Sequence, residues 1–185
     1  MKTLILALVL FMPGALLAAG GNVHLDSAEI DLNDEAALQR GAKYFVNYCL
    51  NCHSASYMRY QKMTALGLTE EQIEDNLMFA GDKVGGLMTI AMKPGDAEKW
   101  FGAAPPDLTL TARLRGEDWL YTYLRSFYAD PSRPFGVNNV VFPSVGMPHV
   151  LWELQGVQHA VWEETTGPDG EPHKAIKGLE LVEQG

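Results

Sequence analysis

The run Cys49-Leu50-Asn51-Cys52-His53 limits what this 185-residue chain can fold into more than any other feature, because it uses both cysteines in the sequence and places a histidine directly after the second. Two thiols three residues apart share one face of a helical turn. They can both reach the two vinyl groups on one edge of a porphyrin, with the following histidine turned toward the iron, and C-x-x-C-H is the attachment signature of haem c. A chain of this composition produces the motif by chance about three times in 10,000. Other readings of the pair are weaker. A thioredoxin-like redox site needs a strand before the first cysteine, whereas the preceding segment has helical periodicity. A zinc site needs two further ligands, and His24, His149, His159 and His173 lack the close pairing of structural sites. A plain disulfide, open to an exported chain, is the third alternative.

An iron that shuttles electrons usually keeps both axial positions filled, since an open one invites oxygen or peroxide chemistry. Met58 and Met63 follow His53 too closely to pass around the ring edge, and Met78 falls on the apolar face of a short predicted helix. Met147 is best placed: in Val145-Gly146-Met147-Pro148 the glycine permits close backbone approach and the proline keeps the segment extended. Met88, Met92 and His149 are the alternatives. His plus Met ligation predicts a high-potential, low-spin electron carrier. The anionic propionates need donors, and Arg113 or Arg115, two cations in an acidic chain, can supply one.

The first nineteen residues combine Lys2, an apolar run over residues 4–12, a Pro13-Gly14 break and small residues at 15, 18 and 19. This predicts a signal peptide over 1–19 and an exported domain over 20–185. Residues 33–49 place Leu38, Ala42, Phe45, Val46 and Cys49 at helical spacing, with Asn33 or Asp34 as the cap and Gly41 on the same face. Thr69-Glu70-Glu71-Gln72 is a capping box, predicting a helix over 70–80 ended by Gly81. Residues 82–107, rich in Gly and Pro, read as irregular. A third helix fits 117–128, with Trp119, Leu120, Tyr123, Leu124 and Phe127 on one broad face. Val140-Val141-Phe142 reads as a minor strand, and residues 165–185 as a hairpin around Gly167 to Pro172. Three helices and much loop are a thin core for a domain of this size, and a bound prosthetic group would supply the missing interior.

Charge narrows the partners. Lys plus Arg number 14 against 23 Asp plus Glu, a net charge of -9. That argues against nucleic-acid binding and suits a positively charged partner.

With the haem motif, Pro105-Pro106-Asp107-Leu108, Ala112-Arg113 through Gly116-Glu117-Asp118, and Gly146-Met147-Pro148 in this order, the chain resembles the cytochrome c1 family of the cytochrome bc1 complex, bacterial members most of all, from residue 25 to 185. The resemblance implies a mainly α, class I cytochrome c-like haem domain with long loop insertions and at most a minor β-hairpin. It implies one covalent haem c on Cys49 and Cys52, His53 as proximal ligand, Met147 as distal ligand, and a propionate on Arg113 or Arg115. It further implies an electron accepted from a Rieske iron-sulfur protein beside cytochrome b and passed to a soluble cytochrome c, at the periplasmic face of the bacterial inner membrane. The subunit itself would make no bonds in a substrate.

The chain departs from this pattern in two places. Family members continue into a further helix that packs on the first, then a transmembrane anchor, whereas this sequence ends at Gly185. A truncated sequence, or a partner that supplies the helix, would leave an apolar groove along Leu38, Gly41, Ala42 and Phe45. Pro148-His149 stands where many members have a run of prolines. The competing functions are a free-standing periplasmic cytochrome c, the haem subunit of a dehydrogenase, and a thiol-disulfide oxidoreductase using Cys49 and Cys52.

Overall fold

The computed structural model describes residues 23–167 and 170–185, so the predicted signal peptide lies outside the described residues. Helix α1, Glu35–Tyr44, begins where expected: Asp34 is its cap, and its carboxylate accepts from the Ala37 N–H at 2.9 Å. Glu35 in the first turn and Lys43 in the last both suit the helix dipole. Beyond Tyr44 the helix widens into a π turn, Phe45–Cys49, closed by the Leu50 N–H on the Phe45 carbonyl at 2.9 Å.

A 3-10 turn, Tyr60–Leu66, ends at Gly67 with φ +78°, a left-handed backbone that glycine adopts without steric cost. It is tied to α1 by the Gln39 amide donating to the Leu66 carbonyl at 2.7 Å. Helix α2, Glu70–Leu77, carries the predicted capping box, with Thr69 and Gln72 bonding each other's backbone. It ends before Gly81, and Gly81 has a different role: a Cβ there would sit 2.8 Å from the Tyr60 ring. Val46, Leu50, Ala55, Tyr60, Met63, Ile73, Leu77 and Met88 make the core of this half.

Strand β1, Ala55–Arg59, pairs antiparallel with β2, Leu87–Met88. Helix α3, Pro94–Phe101, with Pro94 at its start and Gly102 in the left-handed cap, falls inside the stretch read as irregular. The punctuation there marks the two ends of a helix. Helices α4, Thr111–Arg115, and α5, Glu117–Arg125, follow. The chain then turns into β3, Phe127–Ala129, so the third predicted helix stops three residues early. Strand β3 pairs with β4, Val137–Asn139, in the register Phe127↔Asn139. The predicted strand at 140–142 is displaced because buried Asn139 accepts the N–H groups of Val141 and Phe142 on its own side-chain oxygen, 3.0 Å each. A one-turn helix α6, Trp152–Gln155, leads into the hairpin of β5, Val157–Thr166, and β6, Pro172–Glu183. The N-terminal segment lies on α5: the Asp26 N–H donates to Thr122 Oγ1 and the Ala28 N–H to Asp118 Oδ1, 2.8 Å each.

The mainly α expectation is therefore corrected. Three two-stranded antiparallel sheets stand beside short helices among the described residues, and the β5–β6 hairpin, with strands of 10 and 12 residues, is a major element. Val157, Val161, Trp162, Thr165 and Thr166 are strand formers that outweigh the charged residues between them. No helix among the described residues is long and apolar enough to cross a membrane.

Helix α1 buries none of its residues fully. Ala42 and Phe45 pack on the core, while Gly41 is exposed and a Cβ there would meet nothing within 4 Å. Gly41→Ala should therefore raise stability by about 1 kcal/mol, the helix-propensity difference between the two residues. A denaturant midpoint that falls instead would show a neighbour packed against that face.

Candidate functional site

The π turn delivers Cys49 to the start of a tight helical turn whose Cys49 carbonyl accepts from both the Cys52 N–H at 3.1 Å and the His53 N–H at 2.9 Å. That backbone puts positions 49 and 52 on one side. Both thiols are free and half-buried. Burial first, and the Cys52 charge second, push the Cys49 thiol above its ordinary value. A redox-active C-x-x-C has its nucleophilic thiol pushed the other way.

His53 is oriented by the backbone. Its Nδ1 lies 2.7 Å from the Pro106 carbonyl. A carbonyl only accepts, so Nδ1 carries the proton and Nε2 keeps its lone pair for a metal. The strap around Pro106 is anchored at several points. The Leu108 N–H donates to the Ser54 carbonyl at 2.8 Å. The Asp107 carboxylate accepts from the Ser56 N–H at 2.8 Å and the Thr109 N–H at 2.9 Å. The Tyr57 N–H donates to Thr109 Oγ1 at 3.2 Å. Desolvation pushes the Asp107 carboxyl up, but the bonds from Thr109 and Ser56 together outweigh it and hold it well below the usual carboxylate range. Pro105-Pro106-Asp107-Leu108 is thus the device that aims the imidazole. A cavity of about 220 Å³ lies alongside, lined among others by Cys52, Ser54, Ile90, Met92, Pro105 and Asp107.

A second group of residues gathers on α5. Met147 is half-buried, and its Sδ accepts from the Tyr123 hydroxyl at 3.4 Å. Burial pushes the Tyr123 phenol up to about 12, which keeps it a donor at neutral pH. The Tyr123 ring stacks on Trp119 at 5.0 Å between centroids and meets Phe127 edge-on at 5.3 Å. The Arg115 guanidinium lies over Trp119 at 5.0 Å. Arg113, exposed on the same short helix, forms no hydrogen bond or ion pair with the described residues.

The alternative distal ligands Met88 and His149 have partners of their own. Met88 is buried in the core within β2, and Met92 lines the cavity beside Cys52. His149 stacks flat on Phe127 at 5.0 Å, with Nε2 3.3 Å from Gln155 Oε1. Burial pulls its imidazole below the ordinary value, against a smaller opposing effect of the Gln155 bond. Sequence reasoning missed the donor role of Tyr123, although a lone hydroxyl four residues after Trp119 on an apolar face was the available signal.

The residues present suit haem c. Two unpaired thiols followed by an imidazole with Nε2 as its free nitrogen are the groups that covalent attachment of haem c needs. Among the described residues 21 large apolar side chains are exposed, surface of the kind that a flat apolar macrocycle would cover in part.

Comparison with known proteins agrees. The Cytochrome C1 family model matches residues 27–83. The chain is 59% identical over 187 residues to cytochrome c1 of Allochromatium vinosum, covering 100% of this chain and 76% of that protein. The chain belongs to the cytochrome c1 family. It is also 51% identical over 166 residues to a Nitrosomonas europaea protein named ammonia monooxygenase gamma subunit, covering 90% of this chain and 70% of that one. Cytochrome c1 of Rhodospirillum rubrum is 28% identical over 165 residues, covering 71% and 61%. Haem c is the cofactor of cytochrome c1 proteins, and membership makes this chain a haem electron-transfer subunit.

Proposed function

We propose that this chain is the cytochrome c1 subunit of a quinol:cytochrome c oxidoreductase, taking an electron from a Rieske iron-sulfur protein beside cytochrome b and passing it to a soluble cytochrome c at the periplasmic face of the inner membrane. The observation that carries the reading is the His53–Pro106 bond within a C-x-x-C-H turn, in a chain 59% identical along its whole length to a bacterial cytochrome c1. Haem, when bound, supplies reversible one-electron chemistry between ferrous and ferric iron.

The chain's own residues prepare that chemistry. Cys49 and Cys52 supply the two thioether sulfurs, and His53 Nε2 the proximal nitrogen. Met147 would supply a thioether sulfur to the iron. Arg113, whose guanidinium is unengaged, or Arg115, which lies over Trp119, would pair with a propionate. The acidic balance of 23 carboxylates against 14 cations favours encounter with a basic acceptor.

Purification from membranes tests the reading. The subunit should co-fractionate with cytochrome b and a Rieske protein, and its reduction of a basic cytochrome c should slow as salt rises. The relative named as a monooxygenase subunit favours a second reading, a haem subunit serving a different membrane oxidoreductase. Co-fractionation with monooxygenase subunits would select it.

Tyr123 provides a finer test. Its hydroxyl draws electron density from the Met147 sulfur and weakens it as a donor to ferric iron. Tyr123→Phe should strengthen that donation and lower the reduction potential. One hydrogen bond contributes about 1 kcal/mol, or about 40 mV for a single electron. Redox titration showing no shift would separate Tyr123 from the ligand.

A further inference from the structure

Ser144 has φ +62°, a left-handed backbone in a residue with a side chain, and such a conformation persists only where its surroundings over-determine it. Both of its peptide groups are held by the β3–β4 unit. Its N–H donates to Asn138 Oδ1 at 2.8 Å, and its carbonyl accepts from Arg133 Nη2 at 2.9 Å. The holders are themselves fixed. Asn138 Nδ2 donates to Asp130 Oδ2 at 3.0 Å, Ser132 donates to Asp130 Oδ1 through its hydroxyl at 2.6 Å, and the Arg133 N–H donates to the Asp130 carbonyl at 3.0 Å. The Arg133 Nε is buried without a partner, a cost accepted in placing the guanidinium on the Ser144 carbonyl. From Ser144 the chain runs through buried Val145 to Met147, with no helix or strand to hold it.

We infer that Arg133 is a positioning residue, and that the Arg133–Ser144–Asn138 clamp fixes the approach of Met147 to the iron. The inference rests on Met147 being the distal ligand. With the clamp intact, the strained turn at Ser144 is the ground state and the thioether is delivered preorganised. Without it, Ser144 relaxes toward negative φ and the following residues swing away, so an added ligand competes more easily.

The test uses the ferric holoprotein, with imidazole as competitor and the Met-to-iron charge-transfer band as readout. Arg133→Ala should bind imidazole about tenfold more tightly, the equivalent of one charge-assisted hydrogen bond lost from the Met-bound state. Ser144→Gly, which adopts positive φ without strain, should bind it two- to threefold more weakly, about the gain of a conformation matched to its residue. That variant does not endanger the fold. Ser144→Gly in the Arg133→Ala background should return the affinity toward wild type, which a merely structural role of Arg133 would not do. Wild-type protein without the band overturns the ligand assignment itself. Protein with the band, but with unchanged imidazole affinity in Arg133→Ala and Ser144→Gly, overturns the clamp alone.

Discussion

Cys49→Ala combined with Cys52→Ala yields a colourless product at the mass of the bare chain after alkaline pyridine treatment and acid-acetone extraction, whereas the parent keeps its colour through both. The effect is total because each thioether is a covalent bond and no third cysteine exists to replace them. Stability falls with it. With 21 large apolar side chains exposed among the described residues and only a small core in each half, the porphyrin is part of the interior. Its loss should cost at least about 4 kcal/mol, the stabilisation given by a ligand held at a thousand times its dissociation constant. A double variant that melts where the parent does would show that the polypeptide completes its own core.

Met147→Leu has the next largest effect. Leucine keeps the apolar volume but brings no lone pair, so the distal position opens, the ferric iron becomes high-spin, the Met-to-iron band disappears and carbon monoxide binds the ferrous form. Axial ligands set haem potentials across several hundred millivolts, and loss of the thioether should lower this one by on the order of 100 mV. The Tyr123 hydroxyl loses its acceptor at the same time, which adds about 1 kcal/mol of destabilisation for a half-buried donor left unpaired. Tyr123→Phe on top of Met147→Leu should recover much of that stability while leaving the potential low. If carbon monoxide fails to bind Met147→Leu, the sixth ligand is another residue, and His149, stacked on Phe127, is the first to replace.

What the sequence disclosed and what it hid follow from the range of the interactions involved. Asp34 and Thr69 each act on the amide three residues away, so both helix starts could be read locally. The C-x-x-C-H turn is equally local. Helix α3 was hidden because Pro94 and Gly102 mark its ends and were read as loop. The hairpin was underestimated because its ten paired positions join residues up to 26 apart, Val157 to Glu183, and cross-strand pairing has no short-range signature. The Pro106 carbonyl lies 53 residues from the imidazole it orients, and a backbone oxygen carries no residue identity to find it by.

The π turn at the end of α1 takes in one residue more than an α-helical turn would, and so rotates everything after it by about 100° relative to the helix before. Removing a single residue from Phe45–Cys49 would restore ordinary winding and swing both sulfurs off their shared edge, even though every named donor stayed in the sequence. The outward surface of α1 and the direction in which the thiols project are thereby uncoupled: substitutions on one can accumulate without re-aiming the other.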